Sequence, residues 1–388
     1  MQGSQCSKER NLKFAEIAGI LLEDYLKYQQ PPLVAHMFLL EKLESQIKQY
    51  PQSIIFTDGD DPRVMRAARR YLSAKFGEPI LIGNAPKIKA TASNLNIDIE
   101  PVTIIDPENA EETDDLVERM KNIPPYDGKT TEEIRSYLKD PRYFGTMLLE
   151  SGQADTLLAG ASIRARSAML PLIELLPRND FNQEISSMIL LDTRNPGIGS
   201  NGLLLLADTL VHPMPTESIL AENSVSVAKI CEQLVRDKPR VAMLSYTNVH
   251  INSNNPSTKR MQNAVQHAQD LARSINLPCD IAGEMQVDVA LDSSIARLKE
   301  HHDLLNGNAN ILVFPNLDAA NISLKMLQIV SDIRTYGPIL IGFEKAAGCI
   351  TRSMQSKDIY GTAILLAYLA LHDSLLDPLD NGSDPLPQ

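Results

Sequence analysis

Two short segments of this chain combine side chains that bind an anion with side chains that move a proton. In the first, Ala159-Gly160-Ala161-Ser162 trails an apolar strand candidate, and Arg164 and Arg166 follow at once. Small residues after a parallel strand let the backbone approach a ligand, and the next helix start offers free amides. Guanidinium groups bind phosphate through paired hydrogen bonds. Ser162, Arg164 and Arg166 are therefore candidate phosphate ligands, with plain surface charge as the alternative. The second segment reads Lys345-Ala346-Ala347-Gly348-Cys349-Ile350-Thr351-Arg352 and is followed by Asp358. A hydroxyl, a guanidinium and a nearby carboxylate supply oxyanion stabilisation, phosphate binding and a general base. Capping of the last helix by Asp358 is the alternative reading.

Other patterns have simpler explanations. Residues 197–202 match GxGxxG, but an apolar strand candidate follows where a dinucleotide site needs a helix N-terminus, so a hairpin loop is expected. Glu284, Asp288 and Asp292 recur every four residues, which predicts one solvated helical face rather than a metal site. Asp61 is a good N-cap, Pro62 a good first helical residue, and Arg63, Arg66, Arg69 and Arg70 read as a solvated helix face. His212 and His372 have no partner at ligand spacing. The four cysteines lack metal-ligand or disulfide-framework spacing.

These segments are positioned by a recurring strand–helix rhythm. Apolar runs at 54–56, 79–82, 102–105, 156–159, 241–244, 311–314 and 339–341 each precede an amphipathic stretch. Continuously apolar strands alternating with helices imply a largely parallel sheet covered on both faces. Residues 188–208 instead predict a hairpin. Helices are expected at 12–28 and 35–49 as an appendage before the main fold, and the Pro- and Asp-rich stretch 376–388 as a loose tail. The chain has 388 residues, enough for two domains, and its 43% hydrophobic and 22% charged composition is that of a globular protein. A net charge of −12 argues against sequence-independent nucleic-acid binding and against anionic membrane surfaces. No apolar stretch approaches membrane-spanning length and no signal-peptide core follows the polar start, so a cytoplasmic location is expected.

Several segments, in order, give the chain a family resemblance. Thr57-Asp58-Gly59-Asp60-Asp61-Pro62-Arg63-Val64, Tyr143-Phe144-Gly145-Thr146-Met147, Val241-Ala242-Met243-Leu244-Ser245-Tyr246, Gly283-Glu284-Met285-Gln286-Val287-Asp288 and Tyr336-Gly337-Pro338-Ile339 resemble the phosphate acetyltransferase and phosphate butyryltransferase family over about residues 52–373. The resemblance implies two α/β domains of the isocitrate/isopropylmalate dehydrogenase-like type with an interdomain cleft. On this chain that places an N-terminal helical extension at 1–51, domain 1 at 52–180 plus 336–375, and domain 2 at 181–335. It also implies a homodimer acting on acyl-CoA and phosphate, with coenzyme A as a substrate and no other cofactor or metal. The family's Leu-Ser-Arg-Gly segment with its later aspartate falls on Ile350-Thr351-Arg352-Ser353 and Asp358. Asp358 would take the thiol proton, while Arg352 and Thr351 hold the phosphate and the developing oxyanion; the family's lysine falls on Lys345. Ala346-Ala347-Gly348-Cys349 replaces the usual Pro-Val-Asn-Asp, and Leu170 stands where the family carries arginine, a loss that Arg164 and Arg166 are expected to compensate. Other segments, including Asn316-Leu317-Asp318-Ala319-Ala320-Asn321-Ile322, are similar to the C-terminal phosphotransacetylase-like domain of large bacterial malic enzymes. The alternative function is accordingly an acyl-CoA-binding regulatory protein without turnover.

Overall fold

Four parallel strands open the fold: β1 (Ile54–Phe56), β2 (Pro79–Ile82), β3 (Thr103–Ile105) and β4 (Thr156–Ala159). The structure, a computed structural model, describes residues 35–248, 255–299, 304–372 and 376–379. The expected helix at 12–28 lies outside them. Around these strands run α1 (Ala35–Gln49), α2 (Pro62–Ser73), α3 (Ala85–Asn94), α4 (Thr113–Met120), α5 (Thr131–Leu138), α6 (Pro141–Glu150) and α7 (Ala165–Leu175). Local chemistry sets several of these starts. Asp61-Pro62 and Asp140-Pro141 each place an accepting carboxylate at the N-cap and a proline at the first helical position, and Thr130 with Glu133 forms a capping box.

The expected hairpin is present as β5 (Ser186–Asp192) and β6 (Leu203–Ala207), with the GxGxxG segment in its loop. Then follow α8 (Glu217–Val235), β7 (Arg240–Leu244), α9 (Pro256–Ser274), β8 (Asp280–Met285), α10 (Val287–Leu291), α11 (Ser293–Leu298), β9 (Ile311–Val313) and α12 (Leu317–Val330). The chain returns through β10 (Arg334–Ile341) and β11 (Ala346–Cys349) and ends on α13 (Ser356–Leu371). All eleven strands join one sheet in the order β3-β2-β1-β4-β11-β10-β5-β6-β9-β7-β8. Hydrogen bonding therefore continues across residue 181, through the antiparallel pairs β10–β11, β10–β5 and β5–β6. The central antiparallel strands reverse the sheet's polarity. Strands β1, β4 and β11 point their carboxyl ends to one edge, and β6, β9, β7 and β8 point theirs to the other.

One face of the sheet carries a single apolar core beneath α1, α2, α8, α9 and α13. The opposite face carries two separate cores, one beneath α4 to α7 and one beneath α10 to α12. Several expectations change here. Helix α1 is no appendage: Leu39, Leu43 and Ile47 are buried in the shared core. Leu376, expected in a loose tail, is buried, and its carbonyl accepts from Asn179 at 2.6 Å. Glu284, Asp288 and Asp292 share no helical face, because Glu284 lies in β8, Asp288 in α10, and Asp292 caps α11. Residues 346–349 form a buried strand; their small side chains suit a position where a β-carbon on Gly348 would meet Pro338 O at 2.9 Å.

His212, without a sequence partner, finds one in buried Asp208 at the end of β6, with Nδ1 3.0 Å from the carboxylate. That carboxylate also accepts from the Ser187 hydroxyl and from the backbone N–H groups of Leu210, Val211 and His212. Burial pushes the Asp208 pKa up, but the His212, Ser187 and backbone hydrogen bonds outweigh it and hold the carboxyl below its usual range. Asp208→Ala leaves these buried donors without an acceptor and should cost about 3 kcal/mol of stability in urea unfolding at neutral pH. The depressed pKa makes this contribution full above the unfolded-state value of about 3.9 and lost as pH falls through the folded one. The gap between wild type and variant should therefore begin to narrow below about pH 4.

Candidate active site

The loops bearing the candidate residues leave β4 and β11 side by side, and the loop after β1 binds both. Asp58, buried at the end of β1, fixes the β4 loop. Its carboxylate accepts the Gly160 N–H at 2.8 Å, the Ser162 N–H at 3.1 Å and the Ser162 hydroxyl at 2.7 Å. The loop turns through Gly160 at φ 105°, where a β-carbon would come 2.7 Å from that of Ala168.

Arg63 ties this loop to the next. Asp61 accepts its backbone N–H at 2.8 Å, Nε at 3.0 Å and Nη2 at 2.7 Å. Thus oriented, the guanidinium donates to the carbonyls of Ala161 at 2.8 Å, Arg352 at 2.7 Å and Met354 at 2.9 Å. The expectation that Arg63 lies on a solvated helix face is corrected: its donors bridge the two candidate loops. Burial pushes the Asp61 pKa up, but the Arg63 side-chain and backbone hydrogen bonds outweigh it and hold the carboxyl below its usual value. Asp140-Pro141-Arg142 repeats the device, with Arg142 forked on Asp140 and donating to Ser167 O at 2.8 Å. Sequence reasoning missed both clamps, although the Asp-Pro-Arg triplet occurs twice and was their visible signal.

Ser162 is thus positioned by Asp58. Arg164 precedes α7 and Arg166 lies in its first turn; both are exposed, and neither side chain has an ion pair or hydrogen bond among the described residues. The same holds for the Arg352 guanidinium, whose own carbonyl is taken by Arg63. Leu170 is 47% exposed on α7, one helical turn beyond Arg166. Thr351 Oγ1 lies 3.4 Å from Ser353 Oγ. Asp358 sits in the first turn of α13, where Oδ2 accepts the Gln355 N–H at 2.9 Å while Oδ1 takes no hydrogen bond among the described residues. The capping interaction is therefore real, and it leaves one carboxylate oxygen open. Lys345 is not brought to this group. It precedes β11, at the opposite edge, and at about 3.3 Å per residue an extended path to Thr351 covers roughly 20 Å.

A different lysine reaches the site. Lys325 on α12 donates from Nζ to Ser353 Oγ at 2.8 Å and to Gln328 Oε1 at 3.2 Å. Burial pushes its pKa down. Helix α12 follows β9 and runs back toward the edge where β11 ends, which is how a residue of the second strand group touches this loop. Its sequence signal was a single cation, the one charged residue of α12 after Asp318. Cys349, adjacent in sequence, is buried and its thiol is pushed up to about 12, chiefly by desolvation, so it offers no thiolate.

A fixed loop pair with unpaired guanidiniums, hydroxyls and one open carboxylate oxygen is the equipment of an anion-handling transferase. Residues 38–367 match the phosphate acetyl/butaryl transferase family profile, and the chain belongs to that family. It is 32% identical over 323 residues to a phosphate acetyltransferase of Clostridium acetobutylicum, covering 83% of this chain and 96% of the relative. It is 30% identical over 334 residues to the Bacillus subtilis phosphate acetyltransferase, covering 86% and 99%. Among solved structures it is similar to a phosphotransacetylase from Streptococcus pyogenes, with TM-score 0.76, 29% identity, and coverage of 86% of this chain and 98% of that one. The mixed α/β fold with one large sheet agrees with these relatives.

Arg63→Met removes the bridge between the loops while leaving Asp61 to cap α2. Losing charge-assisted bonds to otherwise adjacent loops should lower hydrogen-exchange protection of residues 160–163 and 350–355 by about 100-fold. Protection in β6 and β9 should be unchanged; equal protection of the two loops in wild type and variant would show that the bridge holds nothing.

Proposed function

We propose that this protein catalyses reversible transfer of an acyl group, acetyl first, between phosphate and coenzyme A. The reading is carried by the adjacency of the Ser162 and Thr351-Arg352 loops under one guanidinium, Arg63, in a chain of this family. Asp358 takes the proton of the coenzyme A thiol at its open oxygen. A thiol of pKa about 8.5 is mostly protonated at neutral pH, so the base raises the fraction able to attack. The thiolate adds to the carbonyl carbon of the acyl phosphate, the tetrahedral oxyanion collapses, the carbon–oxygen bond to phosphate breaks, and the thioester remains.

Arg352, with Arg164, Arg166 and Ser162, holds the phosphoryl oxygens. A buried dianion without enough cationic partners is costly, which fits guanidiniums that carry no counter-ion among the described residues. Thr351 donates to the oxyanion, and Lys325, on Ser353, adds positive charge beside it. Lys345 has no part in this scheme. The two strand groups on either side of the central antiparallel strands act as two lobes, divided near residue 181 with the return at 336, and the substrates lie between them. The protein works as a cytoplasmic homodimer; among the described residues no helix is long and apolar enough to cross a membrane.

The decisive assay mixes acetyl phosphate with coenzyme A and follows thioester absorbance; wild-type protein that binds acetyl-CoA without acyl exchange sinks the proposal. Asp358→Asn should lower kcat by roughly 10²- to 10⁴-fold with little change in the KM for acetyl phosphate. Arg352→Ala should lower kcat and weaken acetyl phosphate together. Alanine at both Arg164 and Arg166 should raise the KM for acyl phosphate at least about tenfold, the effect of one charge-assisted hydrogen bond. An unchanged KM in that double variant removes them from the phosphate site.

A further inference from the structure

The amine of Lys325 is a nucleophile that the acyl-transfer scheme does not use as one. Its side chain is half-buried on α12 and has no ion pair among the described residues. Both acceptors of Nζ are neutral groups, Ser353 Oγ at 2.8 Å and Gln328 Oε1 at 3.2 Å. No carboxylate therefore offsets the water lost around the ammonium, and burial pushes its pKa down. Desolvation raises the share of free amine, the form that attacks a carbonyl. A neutral amine has two hydrogens and one lone pair. The two acceptors engage the hydrogens and leave the lone pair uncommitted.

The same contact puts this amine beside the loop assigned to the acyl phosphate. Ser353 follows Arg352 in the chain, and its Oγ lies 3.4 Å from Thr351 Oγ1. Nζ is thus about two hydrogen-bond lengths from the hydroxyl given above to the oxyanion. An acyl phosphate held there presents its carbonyl carbon to a neighbour of high effective concentration. The Cys349 thiol, buried and pushed up to about 12, does not compete. Lys345 precedes β11 at the opposite edge, and Lys357 is exposed on the first turn of α13.

We propose that Lys325 is acylated by the acyl phosphate bound at this site, and that the modification silences the protein when coenzyme A is scarce. The inference rests on the function proposed above. Nζ adds to the carbonyl carbon, the tetrahedral intermediate collapses, and the carbon–oxygen bond to phosphate breaks. Phosphate leaves with the electron pair, and the proton of the amine passes to it or to water. The products are an N-acyl-lysine and inorganic phosphate. The amide has no positive charge and a single N–H, so the site loses the cation beside the oxyanion and one of two hydrogen bonds. With coenzyme A present, its thiolate consumes the acyl phosphate first; without it, the amine is the acceptor.

The test incubates the full chain with isotope-labelled acetyl phosphate in the absence of coenzyme A and follows each lysine by peptide mass spectrometry. Lys325 should take up label at least about tenfold faster than Lys345 and Lys357. Arg352→Ala, which no longer holds the phosphoryl group, should bring Lys325 down toward their rate. In the acyl-exchange assay, treated wild type should lose activity in step with the label on Lys325. Lys325→Arg keeps a cation that cannot be acylated this way, and under the same treatment it should hold its own starting rate. Label on Lys325 no faster than on Lys345 and Lys357, or equal loss of activity in wild type and Lys325→Arg, overturns the proposal. Selective label on Lys325 without any acyl exchange would leave this modification site standing and remove the catalytic reading. Exchange without selective label would remove this inference alone.

Discussion

The Arg63 guanidinium holds three carbonyls from two loops, and most of what the candidate site can do depends on it. Loops after parallel strands have no ladder to order them, so their backbone groups must find partners elsewhere. Asp61 supplies the orientation: a carboxylate at a helix N-cap, forked on the guanidinium, leaves that cation only a few directions in which to donate. Asp58 completes the arrangement by fixing the Ser162 loop from beneath. The result is a pair of tied loops whose outward guanidiniums, on Arg164, Arg166 and Arg352, carry no ion pair or hydrogen bond among the described residues. Charges within the clamp are matched to each other, and charges outside it are not.

The reversal of sheet polarity at the centre is the second constraint. It places the carboxyl ends of the two parallel strand groups at opposite edges, so strand ends alone would never bring both groups to one site. Helix α12 resolves this by running back to the edge where β11 ends and delivering Lys325 to Ser353. The same geometry removes Lys345, which the short strand β11 carries to the far edge.

Much of this was legible in the residues. The alternation of apolar runs and amphipathic stretches located most of the strands, and the chain's order of motifs located the family. Thr351, Arg352 and Asp358 were readable as candidates because reactive side chains sat together after an apolar run. The hairpin at 188–208 was readable because a strand, not a helix, followed its glycines. Strands β8 and β11 were not, since Asp280–Met285 carries polar residues and Ala346–Cys349 is only four small residues long. Neither has the apolar run that marks a covered strand.

The sequence by itself determined most element types, several helix starts and the chemical content of the candidate loop, because these depend on neighbours within a few residues. Asp61-Pro62-Arg63 shows why: its cap is local and was expected, whereas the destination of its guanidinium lies 98 to 291 residues away along the chain. Tertiary structure alone decided which cations bind protein and which face outward, that Lys325 rather than Lys345 lies against the Thr351–Ser353 loop, and that α1 belongs to the core. Each of those outcomes is set by strand order and direction, and a long-range pairing leaves no periodicity in the sequence from which to read it.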